Sequence, residues 1–118
     1  MTDALEQQTT APVQAQLDAY NAKDIEAFCR CYHADISIYR MPASAPALQG
    51  LAALRHFYAT ERFTLPALRA EVLNRLVAGN KVVDHERVYG MGETPSDVIV
   101  VYEVDAGLIR SAWFYPTG

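Results

Sequence analysis

Beyond Pro66 the chain runs as one strand after another. "LRAEVLNRLVA", "KVVDHERVYG", "DVIVVYEV" and "LIRSAWFYP" are rich in β-branched and aromatic residues, and only "GN", "MGETPS" and "DAG" separate them. Such short turn-forming connections permit antiparallel hairpins and nothing else. Ahead of Pro66 the periodicity is helical. Pro12 suits the first turn of a helix in which Val13, Leu17 and Tyr20 share a face. "NAKD" interrupts it, and Asp24 caps a second helix with Ile25, Phe28, Cys29 and Tyr32 as its apolar stripe. "HAD" ends that helix and "ISIYR" alternates as a strand. "MPASAPALQG" is a loop closing in a short edge strand, and "LAALRHFYATERF" is a third helix that turns Leu51, Leu54 and Phe57 or Tyr58 inward. Helices first and an antiparallel meander afterwards make an α+β domain, with a curved sheet wrapped on packed helices.

With 118 residues, half of them hydrophobic, the chain can bury one core. Residues 1–11 are expected to be a flexible N-terminal segment and 12–118 a single domain. A net charge of −4 argues against a nucleic-acid partner. The start "MTDALEQQTT" lacks the basic and apolar regions of a signal peptide, and "VIVVY" is too short to span a bilayer, so no membrane partner and a cytoplasmic location are expected. Cys29 and Cys31 point to different sides of a helix and no second Cys/His cluster exists, so two reduced thiols and no metal are expected. No phosphate-binding loop or Ser-His-Asp spacing occurs, and no cofactor is expected.

Three patterns occur in fixed order: "AYNAKDIEAFCRCYHADISIY", "LQGLAALRHFY" and "VYEVDAGLIRSAWFY". Together they resemble the NTF2-like superfamily, in particular its SnoaL-like and ketosteroid-isomerase-like branch. The resemblance implies a cone: three N-terminal helices packed on a strongly curved, mainly antiparallel sheet around an apolar cavity. It also implies a homodimer formed through the outer sheet face. Ile109, Ser111, Trp113 and Tyr115 share one face of the last strand, Arg110, Ala112 and Phe114 the other, and Trp113 suits an interface anchor in preference to a core residue.

The family's catalytic sets carry over poorly. Aligned on "NAKD", the oxyanion-binding tyrosine of ketosteroid isomerases falls on Gln16, the general base on Arg40 and the protonated aspartate near Val100. Valine cannot donate a hydrogen bond, so that mechanism is excluded. Limonene-epoxide hydrolases resemble the chain around "ERVY", where Arg87 matches their arginine. Their two aspartates fall on Tyr89 and Phe114.

The charged strand is the remaining candidate. Asp84 and Glu86 share one face, His85, Arg87 and Tyr89 the other. A two-residue turn at Gly79-Asn80 sets Arg75 opposite Asp84 and Asn74 opposite His85. Asp84 and Glu86 beside Arg75 suit acid/base work, and better a cross-strand salt bridge at the surface or dimer contact contributing ~0.2–1 kcal/mol. His85 and Arg87 suit a histidine titrating near neutrality beside an anion-holding arginine. The two faces are nearly equal in apolar content. The epoxide-hydrolase register points Arg87 inward, so His85 with Arg87 is the expected cavity pair. Tyr39, Tyr58, Tyr89 and Phe114 are candidate ligand contacts, His33 a helix-end cap, and His56 an exposed residue. The expected activity is a cofactor-independent isomerase, cyclase or hydrolase acting on a small, mostly apolar molecule. The alternatives are a non-catalytic binding module or a dimerisation scaffold with a filled cavity.

Overall fold

The structure, a computed structural model, describes residues 2–117. Helices α1 (Thr2–Ala22), α2 (Ile25–Cys29) and α3 (Leu51–Glu61) pack on a six-stranded sheet of β1 (Tyr32–Arg40), β2 (Leu48–Gln49), β3 (Arg69–Ala78), β4 (Lys81–Tyr89), β5 (Ser96–Asp105) and β6 (Leu108–Pro116). The strand order is β2-β1-β6-β5-β4-β3. Only β1 with β6 is parallel, because the helical half of the chain must be crossed before the sheet is completed. This is the expected α+β architecture, a curved and unclosed sheet holding the helices on its concave side.

Two boundaries differ from the sequence expectation. α1 begins at Thr2 rather than at Pro12, so residues 2–11 are helical. Pro12 costs the helix one hydrogen bond. The extension is tied down elsewhere: Thr9 is buried and its hydroxyl donates to the Gly79 carbonyl in the β3–β4 turn. Secondly, β1 begins at Tyr32, so "HAD" belongs to the strand. His33 is therefore not a helix cap; its Nδ1 accepts the Asp35 amide at 3.0 Å. The Asp24 cap forms as expected, its carboxylate accepting from the Ala27 amide at 3.1 Å.

Strand parity is broken by bulges. β3 opposes β4 from Arg69↔Tyr89 to Val72↔Glu86 and resumes at Asn74↔His85, leaving Leu73 as the extra residue. β6 passes from Val104↔Ile109 to Glu103↔Ser111, which leaves Arg110 as the extra residue. Ile109 is thereby fully buried on the concave side with Ala112, whereas simple alternation had grouped it with Trp113. Bulges bend and over-twist a strand, which is how the sheet acquires its curvature.

The core gathers inside that curve. Phe28 lies against Tyr58, Tyr32 and Phe63 with ring centroids 4.7, 5.0 and 5.3 Å apart. Cys29 and Cys31 are free and buried, and burial pushes both thiols above their ordinary range. At the open end of the sheet Gly90 has φ +87°, and a side chain there would overlap the Ala67 carbonyl. That close approach holds the β4–β5 loop against the segment after α3. No helix among the described residues is long and apolar enough to cross a membrane.

Candidate functional site

A cavity of about 210 Å³ lies between the concave sheet face and the helices. Its walls are apolar and aromatic: Leu17, Phe28, Val98 and Phe114 with the rings of Tyr20 and Tyr58. Glu86 and Tyr102 line it from neighbouring strands, and Arg40 and Arg62 line it from the ends of β1 and α3.

Strand β4 turns its carboxylates, not its histidine, to this side. Asp84 is 0 % exposed and Glu86 is 6 % exposed. The expectation that His85 and Arg87 face inward is corrected. Both lie on the convex face, where His85 Nε2 meets Asp97 Oδ2 at 2.9 Å and Arg87 Nε donates to Asp97 Oδ1 at 2.8 Å. Asp97 on β5, at the cavity border, supplies both with a partner and is held down to about 2 by these contacts. Asp84 can be buried because Arg75 sits opposite it and donates twice, at 2.7 and 2.9 Å. The third arm of Arg75 reaches Gln14 of α1 at 2.8 Å. A charge taken from water needs such a partner with its hydrogen bonds completed.

Glu86 has no such cation. Its Oε2 accepts from the Tyr102 hydroxyl at 2.9 Å. Gln16 Nε2 donates to the Tyr102 oxygen at 3.3 Å, and Tyr32 donates to Gln16 Oε1 at 3.1 Å. The chain of donors thus runs Tyr32, Gln16, Tyr102, Glu86, each polarising the next. Oε1 of Glu86 has no hydrogen-bond partner among the described residues, yet no fully buried side-chain atom there is left unsatisfied. Oε1 is therefore the oxygen that opens on the cavity. Burial pushes the Glu86 carboxyl up from its ordinary 4.5 to about 7; the Tyr102 bond and Arg75 oppose the rise, and the charge of Asp84 adds to it. Both protonation states are then populated near neutrality, as a general acid or base requires.

The hydroxyls of Tyr20 and Tyr58 are equally without protein partners among the described residues and also open on the cavity. Burial raises both above the ordinary tyrosine range, so they remain donors. Of the expected ligand contacts, Tyr58 and Phe114 line the cavity. Tyr39 and Tyr89 do not. Tyr39 stacks on Trp113 at 5.8 Å, following the β1–β6 register on the convex side, and the Tyr89 hydroxyl donates to Glu71 at 3.0 Å. Tyr102, Tyr20 and Arg62 were not legible as site residues. For Tyr102 the signal existed: it is the one polar tip in the inward row Val98, Val100, Tyr102, Val104. Among the described residues no group of three or more His, Cys, Asp or Glu is placed to hold a metal ion.

Residues 13–112 match the family model of the SnoaL-like domain. Solved structures superpose closely at low identity. A candidate ketosteroid isomerase from Kribbella flavida is 19 % identical, with TM-score 0.82 over 96 % of this chain and 80 % of that one. An NTF2-like protein of unknown function from Mesorhizobium loti is 21 % identical, with TM-score 0.82 over 96 % and 93 %. A SnoaL-like protein of unknown function from Burkholderia thailandensis is 17 % identical, with TM-score 0.78 over 94 % and 95 %. No curated protein matches the sequence.

The raised carboxyl has a thermodynamic consequence. A group whose folded pKa lies above its unfolded one contributes stability fully below about pH 4.5 and loses that contribution as pH rises through about 7. Denaturant unfolding of the wild type and Glu86→Gln should therefore diverge with rising pH. The difference between them should shift by on the order of 3 kcal/mol across that window in favour of the variant. A constant difference would show that Glu86 titrates normally.

Proposed function

This chain belongs to the SnoaL-like domain family of the NTF2-like superfamily, and from that premise we propose that it is an acid/base enzyme whose reaction turns on proton transfer by Glu86. The observation that carries the reading is a carboxyl at the cavity wall with one oxygen fixed by Tyr102 and the other free toward a ligand. The ionised Oε1 removes a proton from the carbon beside a carbonyl, and the electron pair moves onto the carbonyl oxygen. Tyr58 donates to that oxygen from the opposite wall, with Tyr20 as a second donor. Glu86 then returns the proton to another carbon, which is an isomerisation; or the enolate carbon attacks a second carbonyl of the same molecule, whose π pair moves onto its oxygen and takes the proton back from Glu86, which is a cyclisation. Gln16 is a positioning residue, since both ends of its amide are engaged by Tyr32 and Tyr102. The cavity is smaller than the ~300–1,000 Å³ of drug-sized sites. The substrate is accordingly a small, mostly apolar molecule.

The test is exchange of carbon-bound hydrogen in D2O, followed by proton NMR over a panel of small aryl and alkyl ketones and keto acids. We expect at least one compound to exchange with a rate that rises with pH through a midpoint near 7, and Glu86→Gln to lower that rate ~10²–10⁴-fold. No exchange across the panel, or exchange undiminished in the variant, would leave a binding module as the better reading.

We also infer a homodimer through the convex sheet face. Leu76, 65 % exposed, adjoins Val83 in the register; Val83 pairs with Val101, Val101 with Trp113 and Ile99 with Tyr115, so one apolar patch crosses four strands. A patch of that extent on a sheet face suits a self-complementary contact. Light scattering should give twice the chain mass for the wild type and the single-chain mass for Val101→Glu. A monomeric wild type would sink the inference.

A further inference from the structure

The cavity carries its free cations at one place. Arg55, Arg75, Lys81, Arg87 and Arg110 each pair with a carboxylate. Arg40 and Arg62, which line the cavity, form no ion pair among the described residues. Both guanidinium groups lie over the same ring: Arg62 is 4.7 Å and Arg40 5.5 Å from the centroid of Phe57, and Arg40 is also 5.8 Å from that of Phe114. Stacking on aromatic faces limits the freedom of these long side chains before any ligand arrives. Their charges are felt inside, since both favour ionisation of the Tyr58 hydroxyl. Neither is among the groups that act on Glu86, where Arg75 is the cation that counts. Of the acids bordering the cavity, Asp97 is spent on Arg87 and His85, and Glu86 is bonded to Tyr102 and pairs with neither arginine. The cavity is thus polarised, with a cationic mouth, aromatic walls and a carboxyl within.

We propose that Arg40 and Arg62 form an anion subsite, and that the natural ligand is a small monocarboxylate whose apolar body points inward to Glu86. This rests on the acid/base reading only for the position of the ligand's inner end. Guanidinium groups suit a planar carboxylate because they donate in parallel. A carboxylate at the mouth leaves the inner end neutral, which avoids setting two anions side by side at Glu86.

The probes are phenylacetate and its neutral isostere phenylacetamide, titrated into the full chain at pH 6 and followed by amide NMR shifts. Phenylacetate should bind with shifts at Phe57, Tyr58 and Phe114, at least about tenfold tighter than the amide. Arg40→Gln combined with Arg62→Gln should abolish that preference, and Arg40→Lys with Arg62→Lys should keep part of it. Arg40 is exposed and Arg62 half-buried, and an unchanged circular-dichroism melt verifies that the variants fold. Equal binding of the two probes in the cavity would overturn the anion subsite while leaving the cavity as a ligand site. A preference that survives the double glutamine variant would overturn it too, as would the absence of saturable phenylacetate binding. If the preference is found but Glu86→Gln leaves hydrogen exchange unchanged, the subsite stands and the acid/base reading falls.

Discussion

The hydrogen bond from Tyr102 to Glu86 ties β5 to β4 where the environment is least forgiving. An ionised carboxylate without a cation is costly to bury, and this one sits behind the helices with only a hydroxyl to serve it. The cost is met partly by protonation and partly by extending the network. Tyr102 is steadied by Gln16 of α1, and Gln16 in turn by Tyr32 of β1. A helix, the first strand and the two central hairpin strands are therefore bound into one polar chain. Beside it, Asp84 with Arg75 and Gln14 forms a second link between the sheet and α1. The two neighbouring carboxylates meet different fates. Asp84 receives a guanidinium, whereas Glu86 keeps one oxygen uncommitted. Environments that divide a pair of acids in this way are how one fold obtains a titrating group at neutral pH.

The cavity exists because the sheet is bent, and the sheet is bent where its strands miscount. The extra residues at Leu73 and Arg110 over-twist β3 and β6 and draw Ile109 onto the concave side. Space then remains under β4 and β5 that the aromatic cluster of Phe28, Tyr58 and Phe63 roofs without filling. The fixed approach of Gly90 to Ala67 sets the loop bearing Met91 at the rim. Curvature, a displaced carboxyl and a cationic mouth are thus consequences of a few local features acting on one strand meander.

Much of this was legible in the sequence and some was not, for physical reasons. Strand and helix types, the Asp24 cap, the Gly79-Asn80 turn and the Arg75–Asp84 register follow from local chemistry, which the chain alone specifies. The inward face of β4 does not. Periodicity identifies an inside only when the other side is polar, and here Val83, Ile99, Val101 and Trp113 make the convex face apolar as well. What decides the matter is partner supply across strands. Arg75 on β3 can neutralise Asp84 inside, while Asp97 on β5 occupies His85 and Arg87 outside. Bulges add a second difficulty, since one extra residue reverses the parity on which a face assignment rests. Gln16 is legible only as a position where a known mechanism fails, and Arg40 as that and as the end of the first strand at the cavity mouth; both line the cavity. Tyr102 lay among valines, where a ring reads as packing and its hydroxyl carries no local signature.

Glu86 is a cavity carboxyl displaced from its ordinary titration by burial. The most direct measurement is a carbon-13 NMR titration of the Glu86 side-chain carboxyl in the full chain, assigned by its loss in Glu86→Gln. A midpoint near 7 is expected, moving higher in Tyr102→Phe because the donor that favours the ionised form is gone. A midpoint near the ordinary 4.5, unmoved by that substitution, would contradict the displacement.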